Sequence, residues 1–273
     1  MTATRALRAG LVAVAAAACL ALSAAPGAAQ DTPTATDEFH PWRPDTDAAD
    51  SYIASRRGVE AYAVVTAHGF WGLHSSSRYH SASVLKAMLL VAYLDRSSVR
   101  HRSLTHDDRA ILDPMITRSD NDAANRCIQI VGTDALRALA RRAHMHHFTP
   151  AYPVWGNSII TASDQAHFFY RIDSYVTERH RDYAMHLLAS ITPSQRWGIG
   201  QVAPEGWKLY FKGGWGSGTG LVDHQVALLR RGDERVGVAV LTRDDGSHSY
   251  GKETLEGVFR RLLRNLSTTT SLR

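Results

Sequence analysis

The sequence predicts an α/β protein of the α+β kind, with an antiparallel sheet built from both chain ends, flanked by helices, and an all-helical domain inserted between them. Three observations predict it. Apolar, strand-like runs flank a His-Gly turn within about 59–74, a helical pattern with short connections fills about 97–200, and further strand-like runs at about 207–243 precede a closing helix.

The N-terminus carries Arg5 and Arg8, an apolar stretch from Leu11 to Leu22 and small residues up to Ala29. That is the pattern of a secretory signal peptide over residues 1–29, cleaved after Ala29 and too short for a stable membrane anchor, so the mature chain is expected to be secreted. Cys19 follows a run of alanines, but the apolar stretch continues past it to Leu22, which fits a lipoprotein cleavage box poorly. Residues 30–47, rich in Thr, Asp and Pro, read as an exposed linker before a folded domain over 48–273.

In that domain a helix is expected from Asp47 to Arg57, then strands Val59–Thr66 and Phe70–His74 around His68-Gly69. A polar loop, Ser75 to Ser81, leads into a helix opened by Ser83 and running through Leu94. Thr105 caps a helix through Met115, another runs from Asp120 to Val131 and stops at Gly132, and Thr133-Asp134 caps Ala135 to Ala143. A loop with Pro150, Pro153 and Gly156 follows, then a helix capped by Thr161-Ala162-Ser163-Asp164 and another from Arg181 to Ser190. Trp207–Lys212 alternates as a strand should, Leu221–Leu229 and Arg235–Thr242 read as longer strands joined at Arg231–Glu234, and Glu253–Leu266 closes the chain as a helix.

With 273 residues, 44% of them hydrophobic, the chain can bury a substantial core without staples. Its net charge of +5 is spread along the chain with no basic block, which argues against nucleic acid as a partner. Once Cys19 leaves with the signal, Cys127 is the one thiol, so no internal disulfide forms, and burial accounts for it. No cofactor motif occurs, and His144, His146 and His147 match no usual metal-ligand spacing, so neither cofactor nor metal is expected. A monomer acting on a small molecule or a cell-wall peptide is the expectation.

The chemistry centres on Ser83-Val84-Leu85-Lys86. An apolar run from Val84 to Leu94 is interrupted only by Lys86, and an ammonium in a helix buried on nearly all faces must find partners or lose its proton. Ser83 lies one helical turn before it, on the same face, so the two can serve as nucleophile and base. The plain alternative is a lysine that stretches its stem to water. Lysine usage speaks against that: of 31 lysines and arginines only four are lysines, and two of these, Lys86 and Lys212, fall in motifs that carry chemistry.

Two further motifs follow in order, Ser119-Asp120-Asn121 at a helix start and Lys212-Gly213-Gly214 at a strand end. Together with Ser83-x-x-Lys86 they resemble the penicillin-recognising serine enzymes, most of all the class A β-lactamases and related serine hydrolases, over roughly residues 50–266. The resemblance implies a β-lactamase/transpeptidase-like fold in which Ser83 is acylated, Lys86 accepts its proton, and Ser119 passes a proton to the leaving amine, helped by the charge of Lys212. It further implies that Asn121 holds the substrate amide, that Gly213 and Gly214 line the substrate strand, and that the N–H groups of Ser83 and Trp215 form the oxyanion hole. Residue by residue, plainer roles remain open: Ser119 as a helix cap, Asn121 as a first-turn residue, Lys212 as a solvated strand end.

Two departures from the family matter. Gly213 stands where the family has a Thr or Ser hydroxyl that helps bind the substrate's carboxylate, with Ser217, Thr219 and Arg243 as replacements to weigh. No Asp or Glu occurs between Asp134 and Asp164, where class A enzymes carry the glutamate that activates the deacylating water. The expectation is a poor β-lactamase with a long-lived acyl-enzyme or a different substrate, unless one of the nearby histidines activates water. A D,D-peptidase or esterase and a catalytically silent recognition protein are the alternatives.

Overall fold

The computed structural model describes residues 41–216 and 221–266. The signal peptide with Cys19, residues 30–40, and Ser217 and Thr219 lie outside the described residues.

Helix α1 (Thr46–Ala54) starts where the Asp45 side chain accepts the Ala48 N–H. Strands β1 (Val59–Thr66) and β2 (Gly69–Leu73) form the expected hairpin. The two-residue strand β3 (Tyr79–His80) leads into a 3₁₀ turn, Ala82–Val84, that runs directly into α2 (Leu85–Leu94), every residue of which is buried. Helix α3 (His106–Thr117) opens with a reciprocal box in which Thr105 and Asp108 satisfy each other's free backbone donors. Helix α4 (Asn121–Arg142) is broken at Gly132, whose φ of 73° and ψ of 164° end one helical run and begin the next. Strand β4 (Ile159–Ile160) pairs with β3. Helices α5 (Ala162–Tyr170), α6 (Glu178–Ala189) and the short α7 (Ile199–Val202) follow. Strands β5 (Lys208–Gly216), β6 (Val222–Arg231) and β7 (Glu234–Arg243) and helix α8 (His248–Leu262) return the chain to its start.

The five long strands form one antiparallel sheet in the order β2-β1-β7-β6-β5, so the N-terminal hairpin pairs with the last strand and the sheet closes from both ends. This is the α/β architecture that the pattern predicts. Helix α5 packs on β7 and β1, and α8 packs on α1 and β6. One continuous apolar core runs from β1 through α2 to α8.

Four details differ from the sequence expectation. Trp42 and Asp45, in the stretch read as linker, are tied to the turn just after α8: Trp42 Nε1 donates to Arg264 O at 3.0 Å, and Arg264 pairs with Asp45 at 2.7 Å. Strand β5 does not alternate, being buried from Leu209 through Gly214, because the 3₁₀ turn of Ser83 and helix α6 pack against it. Helix α8 begins at His248, five residues early, because Ser247 supplies an N-cap to Tyr250. Strands β3 and β4 are too short to leave a periodic signal.

Candidate active site

Three stretches distant in sequence meet at one point, the first of them the 3₁₀ turn continuing into α2. The 3₁₀ turn presents Ser83, α2 carries Lys86 one turn on, the α3–α4 junction presents Ser119 and Asn121, and β5 brings Lys212, Gly213, Gly214 and Trp215 across them. Two residues at these junctions hold left-handed backbone without being glycine: Ala82 (φ 43°) just before Ser83, and Ser119 (φ 58°). Such strain persists only where the surroundings enforce it.

Lys86 is wholly buried and satisfied. Its Nζ donates to Ser119 O at 2.5 Å, Ser119 Oγ at 3.1 Å and Asn121 Oδ1 at 2.8 Å. Lys212, also wholly buried, donates to Ser119 Oγ at 3.0 Å and to Gly213 O at 2.9 Å. One hydroxyl thus bridges two amines. Burial drives the Lys86 pKa down to about 7, with the nearby Asp120 carboxylate opposing the shift. Burial, and then repulsion from Lys86, pushes Lys212 well below the ordinary lysine value. A lysine stretching to water is therefore excluded at both positions.

The sequence expectation of a direct Ser83–Lys86 contact is not what the structure holds. The lysine's hydrogen bonds go to Ser119 and Asn121, and among the described residues the Ser83 hydroxyl makes none. Ser83 instead sits on the floor of an open cleft of about 360 Å³, which it shares with Asn121, Asn125, Trp155 and Trp215.

Gly214 sets the depth of that floor. A Cβ there would lie 2.8 Å from the backbone nitrogens of both Ser83 and Val84, so only glycine lets β5 approach the turn this closely. At Gly213 a Cβ would lie 3.3 Å from the Trp197 ring. Gln225 holds that tryptophan's segment by donating to Trp197 O at 2.7 Å and accepting from Ile199 N at 2.8 Å. A side chain at position 213 would thus press on the Trp197 ring, which would have to give by a few tenths of an ångström.

The loop before α5 contributes an aromatic ring in place of an acid. Trp155 is buried, its Nε1 donates to Asn125 Oδ1 at 2.8 Å, and its ring centroid lies 4.9 Å from Lys86 Nζ. Asp164, in the first turn of α5, accepts the backbone N–H groups of His146 and His147 at 3.1 and 2.9 Å and so anchors the start of this loop. The histidines themselves are not among the residues lining the Ser83 cleft. Arg243 lies over the Tyr79 ring in a separate cavity and does not line the cleft either.

Sequence reasoning missed one cluster entirely. His248 Nδ1 lies 2.6 Å from the buried Asp223 carboxylate, and its ring stacks on Trp215 while Trp197 meets both rings edge-on. An aspartate inside a strand and a histidine at a helix start carry no periodic or motif signal. Among the described residues no group of three or more His, Cys, Asp or Glu side chains is placed to hold a metal ion. Cys127 is fully buried and burial pushes its thiol pKa up, in keeping with a packing role.

Among curated proteins, none matches the sequence. Solved structures do match the fold. A β-lactamase from Sphaerobacter thermophilus DSM 20745 superposes with a TM-score of 0.70 at 19% identity, over 82% of this chain and 97% of that one. A class A β-lactamase from Mycobacterium abscessus gives 0.69 at 18%, over 81% and 99%, and a β-lactamase from Xanthomonas campestris pv. campestris str. ATCC 33913 gives 0.71 at 14%, over 81% and 97%. At such identities these likenesses establish the β-lactamase-like fold. The family model described as "Beta-lactamase enzyme family" matches residues 107–266, more than half of the chain. With that match laid over this fold, the chain belongs to the beta-lactamase enzyme family and is a serine hydrolase by membership.

Proposed function

We propose that the protein cleaves an amide or ester by forming an acyl-enzyme on Ser83, and that it releases the acyl group slowly. The observation that carries the reading is the Ser119 hydroxyl held between Lys86 and Lys212 beside the Ser83 cleft.

The placement of protons supports it. When both amines are charged, Ser119 Oγ accepts two hydrogen bonds, which fills its lone pairs and leaves its own proton to donate into the cleft. When Lys86 is neutral it has two N–H donors and one lone pair for three contacts, and the Ser119 Oγ–H can donate to that lone pair. A proton taken from Ser83 by Lys86 therefore has a route through Ser119 to a leaving group. Asn121, in binding the substrate amide, leaves Lys86 and frees the amine toward Ser83. The Ser83 and Trp215 N–H groups, brought together by the close approach at Gly214, stabilise the oxyanion. The attack forms the Oγ–carbonyl bond, and collapse of the tetrahedral adduct breaks the bond to the leaving amine or alkoxide.

Deacylation lacks a base. Among the described residues no titratable side chain lines the cleft, and the Trp155 ring stands beside Lys86 in the loop that bears no carboxylate. The mature chain is read as a secreted protein that meets amides or esters of the β-lactam or peptidoglycan class outside the cell. Incubation with 4-nitrophenyl butyrate, with intact-mass readout over time, tests both steps: a butyryl adduct on Ser83 persisting far longer than the time needed to form it is the expected result, and rapid turnover with no detectable adduct overturns slow release.

A further inference from the structure

The site's lysines lie beneath the cleft and do not line it. Lys86 and Lys212 are both wholly buried, with their hydrogen bonds directed at Ser119, Asn121 and Gly213 O. His248 is turned to the Asp223 carboxyl at 2.6 Å. Burial raises the Asp223 pKa to about 8 and lowers that of His248, so near neutral pH the pair holds one proton and offers no net positive charge. Four neighbours bear on that pair: Asp245 raises the aspartate further, Lys252 lowers both groups, and the rings of Trp215 and Trp197 enclose the imidazole. Arg243 is engaged over Tyr79 and beside Asp244 in another cavity.

What remains to face the substrate is apolar. The wall above Ser83 is Pro153, Val154, Trp155 and Trp215, with Asn121 and Asn125 as its polar groups. Val154 is 58% and Tyr152 61% exposed, so the loop raises a hydrophobic lip at the mouth. Ser217–Gly220 adds no charge by sequence. Gly213 offers no hydroxyl, and the Trp197 ring lies 3.3 Å from where its Cβ would stand. A substrate carboxylate entering this cleft would lose its water with no cationic side chain among the described residues that line it, which is unfavourable.

We propose that the site takes acyl donors with no free carboxylate near the scissile bond, namely uncharged esters or amides with an apolar acyl group, in preference to anionic β-lactams and peptides ending in a carboxylate. The inference rests on the acyl-Ser83 reading and narrows it. Substrates that carry their charge away from the reacting carbonyl remain admissible.

The test uses the mature chain and two aryl esters that differ at one end, 4-nitrophenyl butyrate and the mono-4-nitrophenyl ester of succinic acid. After each rate is divided by that ester's reactivity with hydroxide, the neutral ester is expected to show kcat/KM at least about 30-fold higher. An equal or higher value for the acid overturns the proposal, as does failure of both esters. Val154→Arg adds a cation at the lip and is expected to narrow the ratio about five-fold at low salt, with the effect fading as salt rises. A ratio that does not respond contradicts an electrostatic origin of the preference. Labelling of Ser83 by a fluorophosphonate separates the two levels: without it the acyl-Ser83 reading fails, whereas labelling together with a preference for the acid sinks this inference alone.

Discussion

At the residue scale, acylation turns on a buried amine whose pKa burial brings down to about 7. With Lys86 at about 7, the base form is scarce below that value and dominant above it. The rate of Ser83 acylation should therefore rise with pH through an inflection near 7, measured by stopped-flow with a chromogenic ester. Lys86→Met removes the acceptor and is expected to slow acylation by about 10³-fold. The same shift bears on stability with a definite sign: the folded pKa lies below the unfolded value of 10.5, so the unfolded chain binds more protons between about 7 and 10.5, and this group makes the fold more stable as pH rises through that window. Lys86 was legible in the sequence as a lone charge in an apolar run. Its partners were not, because Ser119 and Asn121 lie 33 and 35 residues away and only the folded chain shows that they, rather than Ser83, receive its hydrogen bonds.

At the element scale, β5 and the loop before α5 define the cleft. Gly214→Ala would place a methyl 2.8 Å from the Ser83 and Val84 nitrogens, forcing the strand or the turn to move. A displacement of that order is expected to reduce acylation roughly 100-fold while far-ultraviolet circular dichroism stays native. Asp164→Ala removes the acceptor of two backbone N–H groups at the start of the loop, and denaturant unfolding should show a loss of about 2–4 kcal/mol. Hairpins and capped helices were readable because turn residues and N-caps act locally: Thr105 and Thr161 each accept the backbone donor that their position predicts, whereas the cap of α4 is Asp120 and not Ser119. Strand β5 resisted that reading, since its two faces are covered by different parts of the fold and burial erases alternation. The Asp223–His248–Trp215 cluster resisted it for a related reason, being assembled from β6, α8 and β5 by tertiary packing alone.

At the scale of the whole molecule, the sheet is closed by strands from both chain ends, and this closure carries β5 across the starts of α2 and α4. The order of the three motifs in the sequence therefore says little about their separation in space. The fold was legible from the pattern of strands, helices and strands, and the family likeness from the motifs. The charge-free character of the cleft was not, because it depends on which side chains the packing conceals. Secretion remains a proposal from the N-terminal pattern, and N-terminal sequencing of the exported protein is expected to begin at Gln30.

The central claim is that Ser83 becomes covalently acylated through the Lys86–Ser119–Lys212 network. Intact-mass analysis with peptide mapping after fluorophosphonate treatment tests it most directly, run on the native chain, Ser83→Ala and Lys86→Met. A single adduct mapped to Ser83, absent in Ser83→Ala and strongly slowed in Lys86→Met, is the predicted result; an adduct on another residue, or labelling of Ser83 that proceeds at the native rate without Lys86, would contradict it.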